Sequence, residues 1–142
     1  GGGKGWDYEP IFELVSRHKL QDSVTFVGFI PSDDLPIWYN CAEAFIYPSV
    51  FEGFGLPVLE AMACGTPVIA ADASSLPEVA GSAGLLVPPH DVEAWGLALE
   101  LALDDADWRR ATREQGFLEA ARYAWSLTAQ HTAASYRKAL YT

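Results

Sequence analysis

Short β-like runs alternate with helical ones along the middle of this chain, and nothing else in the sequence constrains its fold as tightly. Val24 to Phe29, Ala44 to Tyr47, Pro67 to Ala71 and Leu85 to Val87 read as strands. A short helix from Pro31 through Asn40 lies between the first two, a helix from Pro57 to Cys64 between the next two, and a small helix from Ser75 to Ala80 before the last. Gly65 is placed to end the middle helix, and Pro57 suits its first turn. The strand runs are apolar nearly throughout, as expected of strands covered on both faces. Together with helical connections, this predicts an α/β domain with a mostly parallel sheet under helices. Trp6 to Leu20 reads as a helix ahead of the sheet region. Three more follow it, at Asp91 to Leu103, about Asp107 to Arg122, and Ser126 to Tyr141. In the first of these Val92, Trp95, Leu99 and Leu103 are expected on one side.

At 142 residues the chain has room for one domain with a hydrophobic core. Its net charge of -10 argues against nucleic acid as a partner, because phosphate contacts need clustered Lys and Arg. The nine basic residues sit toward the two ends, and none occurs between Gln21 and Trp108. Cys41 and Cys64 lie in apolar sequence and are expected as buried free thiols. His18, His90 and His131 are too scattered for a metal site, so no metal is expected. No run of 18 apolar residues and no secretory layout is present, which points to a cytoplasmic setting.

The segment Glu52 to Glu60, Glu-Gly-Phe-Gly-Leu-Pro-Val-Leu-Glu, looks most like a ligand site. It follows the strand at Ala44 to Tyr47, and ligands of open α/β sheets sit at the carboxyl ends of strands. Gly53 and Gly55 would let the backbone turn and approach a bound group without a Cβ in the way. The N-H groups of Phe54, Gly55 and Leu56, at the start of the helix, would then form an anion cradle built without cations. Glu52 and Glu60 can only accept hydrogen bonds, so they suit hydroxyls rather than phosphate. A sugar nucleotide has hydroxyls on either side of a diphosphate and fits both halves. Spacing alone leaves a second reading open, in which Glu60 simply favours the positive end of its helix and Glu52 is solvated.

Several motifs agree with one another here: Tyr47-Pro48-Ser49, the Glu52 to Glu60 segment, Ala61-Met62-Ala63-Cys64-Gly65-Thr66-Pro67-Val68-Ile69-Ala70 with Asp72 beyond, Leu76-Pro77-Glu78, and Ala83 to Pro88. Together they closely resemble the nucleotide-sugar-binding C-terminal domain of retaining GT-B glycosyltransferases, with the Glu-x7-Glu motif of the glycosyl transferases group 1 family. The resemblance runs from Gly1 through the Trp125 region. It implies a Rossmann-like parallel sheet flanked by helices, here lacking its first two strands. It implies also that residues 1–142 are part of a donor-binding domain whose N-terminal acceptor domain is absent.

The resemblance assigns Glu52 to the hydroxyls of the donor sugar, as the catalytic residue of the set, and Glu60 to the ribose. It brings the backbone of Gly53, Phe54, Gly55 and Leu56 to the diphosphate and sugar, and makes Phe29 and Ile30 wall residues of the nucleobase region. Ser49, at the strand end, is a further candidate, weighed against a role in stabilising its turn. No cofactor is implied beyond the donor itself, a nucleoside diphosphate sugar. The implied reaction transfers a hexose to an acceptor hydroxyl with retention at the anomeric carbon. The family's basic loop is not found here, so the chain alone is expected to be inactive and to need the missing N-terminal part of its protein or a complementing chain. Peripheral membrane association of the parent fits a family that includes lipid-sugar mannosyltransferases. The alternatives are a non-catalytic interaction domain derived from a GT-B enzyme, or another GT-B enzyme such as an epimerase or phosphorylase.

Three further expectations concern local structure. Ser75 and Glu78 have the spacing of a capping box. Trp38, Tyr39, Trp95, Trp108 and Trp125 are expected to pack into the core. Ala129, Ala133, Tyr136 and Leu140 form a helix face suited to lying on another surface. The family often has Gly-Gly where this chain has Ser74-Ser75, a departure expected to reshape the loop near the donor.

Overall fold

The computed structural model describes residues 1–2 and 8–140. Trp6 and Tyr141, each in an expected helix, lie outside them, as does Lys4. The described chain forms two compact units, Gly1 to Leu35 and Pro36 to the C-terminus.

In the first unit α1, Glu9–Arg17, carries Pro10 in its first turn and Glu9 at its positive end, both favourable there. The ring of Phe12 meets Tyr8 edge-on at 5.7 Å and stacks on Phe26 at 4.2 Å. The expected strand from Val24 to Phe29 is not a ladder strand. Gly28 takes a left-handed φ of +70°, which interrupts an extended run. Among the described residues a single backbone bond, Gly2 N-H to Gly28 O at 2.7 Å, joins this run to a distant segment.

The second unit contains the sheet. After α2, Leu35–Cys41, come β1, Phe45–Tyr47; α3, Leu56–Ala63; β2, Val68–Ala71; α4, Leu76–Ala80; and β3, Gly84–Val87. The strands lie in the order β1-β2-β3, all parallel, with Ile46 opposite Ile69 and Ile69 opposite Leu85. Parallel neighbours need crossover connections, which α3 and α4 supply. β2 is the central strand, and its four residues are fully buried.

Three helices complete the unit: α5, Val92–Asp104; α6, Ala106–Ala120; and α7, Trp125–Leu140. Asp91 and Asp105 cap α5 and α6 by accepting from the N-H groups of Ala94 at 3.0 Å and Trp108 at 2.8 Å. The buried stripe of α5 differs from the expected one. Ala98 and Ala102 pack on Ile69 and Val87, with Ala94, Trp95 and Trp108 around them, whereas Val92 and Leu103 are exposed. The small alanines let the helix lie close to the sheet, and the stripe rotates to put them inward. Tyr39 is buried as expected, but Trp38 and Trp125 are exposed, and α7 buries none of its residues. Both cysteines are free thiols, yet Cys41 is exposed and Cys64 half-buried, because α2 turns Tyr39 rather than Cys41 inward. No helix of the described residues is long and apolar enough to cross a membrane.

Candidate functional site

β1 ends at Tyr47, and the chain then loops out before turning into α3. Gly55 makes that turn. It precedes the first helical residue with φ +103°, and a Cβ on it would come within 2.7 Å of the Leu76 side chain. Only glycine satisfies both conditions without strain. Gly53 is different, since a Cβ there would meet open space and its φ lies outside the left-handed region. The fold itself therefore makes no demand for glycine at position 53. Because α3 begins at Leu56, Glu60 is its fifth residue, one further from the helix start than a Pro57 start predicts.

Each of the two carboxylates is held by a tyrosine. Tyr47 donates its hydroxyl to Glu52 Oε1 at 2.7 Å, and Tyr39 donates to Glu60 Oε2 at 3.2 Å. Burial, and then the bond to Glu52 and its charge, push the Tyr47 hydroxyl up to about 12. Burial and the Glu60 carboxylate likewise raise Tyr39, and the same two causes raise the Cys64 thiol. Both tyrosines thus stay protonated donors at neutral pH. Phe45 ties them together, edge-on to Tyr39 at 5.3 Å and stacked with Tyr47 at 5.7 Å.

Sequence reasoning placed Tyr39 in the core and Tyr47 in a motif but did not connect either to a carboxylate. One signal was available: a buried tyrosine hydroxyl needs a partner, and the expected site offered two carboxylate acceptors.

The loop between the two carboxylates is braced from the β2 to α4 connection. Ser74 donates to Glu52 O at 2.6 Å and accepts from Glu52 N-H at 3.2 Å. The Ser75 hydroxyl lies 2.8 Å from Phe54 O and 3.1 Å from Glu52 O. The expected capping box is absent: Ser75 precedes α4 in a helical conformation, φ -85° and ψ -9°, and makes no side-chain cap bond. A capping side chain reaches the helix amides from extended backbone, so this hydroxyl turns to the neighbouring loop instead. The ring of Phe54 meets Tyr123 edge-on at 5.6 Å, and Tyr123 is itself fixed by donating to Glu78 O at 2.9 Å. Ser49 donates to Phe51 O at 3.3 Å within its own turn.

Among the described residues no acceptor takes the N-H groups of Gly53, Phe54, Gly55 or Leu56. Four consecutive amide donors are thus free at the start of α3, where the helix dipole favours negative charge. Arg109, Arg113 and Arg122 are each engaged away from this loop. They bond, respectively, the Ala102 and Leu103 carbonyls, the Gly65 carbonyl, and the Glu119 carboxylate. The chemistry on offer is hydroxyl acceptance at two carboxylates and anion acceptance at backbone amides. Phe29 and Ile30 belong to the first unit, where Phe29 is 77% exposed and Ile30 half-buried.

A family model described as glycosyl transferases group 1 matches residues 2–118. O-antigen chain mannosyltransferase B of Escherichia coli is 39% identical over 136 residues, which are 96% of this chain and 36% of that protein. D-inositol 3-phosphate glycosyltransferase of Kribbella flavida is 39% identical over 143 residues, covering 99% of this chain and 34% of that protein. Among solved structures, sucrose-phosphate synthase from Thermosynechococcus elongatus superimposes with a TM-score of 0.88 at 36% identity. That superposition covers 99% of this chain and 37% of the synthase. The chain therefore spans about a third of the length of these relatives.

Proposed function

The chain belongs to the glycosyl transferases group 1 family, and from that premise we propose that it is the nucleotide-sugar-binding, C-terminal part of a retaining GT-B glycosyltransferase. One observation carries the reading. Glu52 and Glu60, each fixed by a tyrosine hydroxyl, bracket four backbone amides that have no acceptor among the described residues. Glu60 accepts the ribose hydroxyls, Glu52 accepts hydroxyls of the donor sugar, and the amides of Gly53, Phe54, Gly55 and Leu56 take the diphosphate. The order of these groups along the loop matches the order of ribose, diphosphate and sugar in a nucleoside diphosphate hexose.

In the reaction the bond between the anomeric carbon and the diphosphate oxygen breaks with its electron pair going to the diphosphate, a bond from that carbon to an acceptor hydroxyl oxygen forms on the same face, and the hydroxyl proton passes to the departing diphosphate. Charge grows on the departing diphosphate, and amides already aimed at it stabilise that charge without reorganising. Glu52 contributes by holding the sugar in register with the departing group. The relatives named as a mannosyltransferase and as a D-inositol 3-phosphate glycosyltransferase support sugar transfer as the activity. We assign the acceptor side, and the cations that complete diphosphate neutralisation, to parts of the protein outside residues 1–142. The chain alone then performs no turnover.

The test is calorimetric titration of the full-length protein with GDP, UDP, ADP and their hexose conjugates. The unaltered protein is expected to bind one nucleoside diphosphate at millimolar affinity or better. Glu60→Ala should weaken that binding roughly 30-fold or more, the scale of hydrogen bonds to a charged group. Undiminished affinity in this variant would remove the ribose assignment.

A further inference from the structure

Ser74 and Ser75 reach out of their own segment to the backbone of the candidate donor loop, 22 and 21 residues earlier in the chain. The Ser74 hydroxyl proton has one carbonyl within reach, and the Ser75 hydroxyl proton has two. Ser74 Oγ-H goes to Glu52 O at 2.6 Å while Ser74 Oγ accepts the Glu52 N-H at 3.2 Å, so one side chain closes on both backbone groups of a single residue. Ser75 Oγ-H then goes to Phe54 O at 2.8 Å, the shorter of its two contacts. Both hydroxyl protons are used, and the bonds fall on either side of Gly53.

The backbone cost of this arrangement points the same way. Ser74 adopts φ +55°, a conformation that glycine takes freely and serine does not. A hydroxyl that makes two bonds to Glu52 offsets that strain, whereas a serine serving only its own turn would leave it uncompensated. Ser75 is not occupied with α4, since its hydroxyl makes no cap bond there. With the Tyr47 bond to the Glu52 carboxylate, Glu52 is fixed through its amide, its carbonyl and its side chain at once.

Resting on the donor-site reading above, we propose that Ser74 and Ser75 are positioning residues that latch the loop from Glu52 to Phe54, setting affinity for the sugar end of the donor. Glu60 lies on α3 and is held by Tyr39, so the ribose end does not depend on the latch. A loosened loop must be reordered on binding, and that cost falls on contacts made by Glu52 and the amides after it.

The experiment uses the full-length protein with three variants: Ser74→Gly, Ser75→Ala and the double substitution, with Ser75→Thr as the conservative control. Glycine at 74 removes the hydroxyl and relieves the left-handed φ, so the fold is not put at risk. Affinity for the nucleoside diphosphate hexose that the unaltered protein prefers is expected to fall about tenfold in the double variant. Affinity for the corresponding nucleoside monophosphate should stay within twofold, and Ser75→Thr should restore what Ser75→Ala loses. Independently of any ligand, the Glu52 amide should exchange with solvent about tenfold faster in Ser74→Gly, because its acceptor is gone. Equal loss of both ligands alongside a lower melting temperature would reduce the serines to a structural role, and unchanged affinity for the conjugate would overturn the proposal outright. Absence of all nucleotide binding in the unaltered protein would instead overturn the donor-site reading. The exchange measurement would still decide whether the latch exists.

Discussion

The two ends of α3 are built from the same materials and finished in opposite ways. Each has a glycine at positive φ, Gly55 at +103° before the helix and Gly65 at +76° after it. At the C-terminal end the glycine and the threonine after it are tied down. Gly65 N-H bonds Met62 O, Thr66 N-H bonds Ala61 O, Arg113 Nε donates to Gly65 O at 2.8 Å, and the Thr66 hydroxyl donates to Tyr39 O at 2.7 Å. Gly65, Thr66 and Pro67 are all buried. At the N-terminal end four amides have no acceptor among the described residues, beside exposed Phe54 and Leu56. One end closes the helix onto the core. The other is braced by neighbouring side chains around amides that a ligand can complete.

If that contrast is correct, substitutions at the closed end should cost stability and those at the open end should cost binding. The largest effect belongs to Gly65→Ala. A Cβ there would sit 2.6 Å from the Phe117 ring at a φ that alanine avoids, so unfolding in urea should show a loss of about 2–3 kcal/mol. Gly53→Ala is the converse, because its Cβ points into open space. Stability should remain within about 0.5 kcal/mol while affinity for the nucleoside diphosphate hexose falls at least roughly tenfold. A destabilised Gly53→Ala protein would break the comparison. Arg113→Met should cost about 1 kcal/mol of stability, through the Gly65 carbonyl, and leave nucleotide affinity unaltered.

The smallest effect concerns Tyr47. Its hydroxyl is raised from the ordinary 10 to about 12, so the folded protein favours the protonated form. That preference stabilises the fold fully below pH 10 and is lost as the pH rises from 10 through 12, where the unfolded chain already releases the proton. Tyr47→Phe should therefore lower the melting temperature slightly at pH 8. The gap to the unaltered protein should narrow above pH 10, as measured by thermal melts across that range.

How far the sequence could be read depended on how local the determining physics was. β2 was legible because four successive apolar residues have no other place than the middle of a sheet, and Gly65 because a helix followed by a strand needs a sharp stop. In the candidate site segment, the turn into α3 was legible from the glycines that precede Pro57. Partners set by three-dimensional packing were not. The inward turn of Ala98 and Ala102 in place of Val92 and Leu103 reflects a close approach of α5 to the sheet, which periodicity alone does not encode. Ser75 and Glu78 had the right spacing for a capping box, but a cap depends also on the backbone angles of Ser75, and those are helical. The run from Val24 to Phe29 carried strand composition, and a left-handed glycine interrupted it.

The latch on the loop also fixes when the site can come into being during folding. Glu52 lies in the connection after β1, and Ser74 and Ser75 lie in the connection after β2. Their bonds cannot form until the chain has passed through α3 and β2 has docked beside β1. That requires closing loops of only about twenty residues, a small entropic step. Neither β3 nor the three helices after it is needed for this closure. The serine latch is thus complete once a single strand-helix-strand unit has closed, whereas the Tyr123 ring reaches Phe54 only after the later helices have folded.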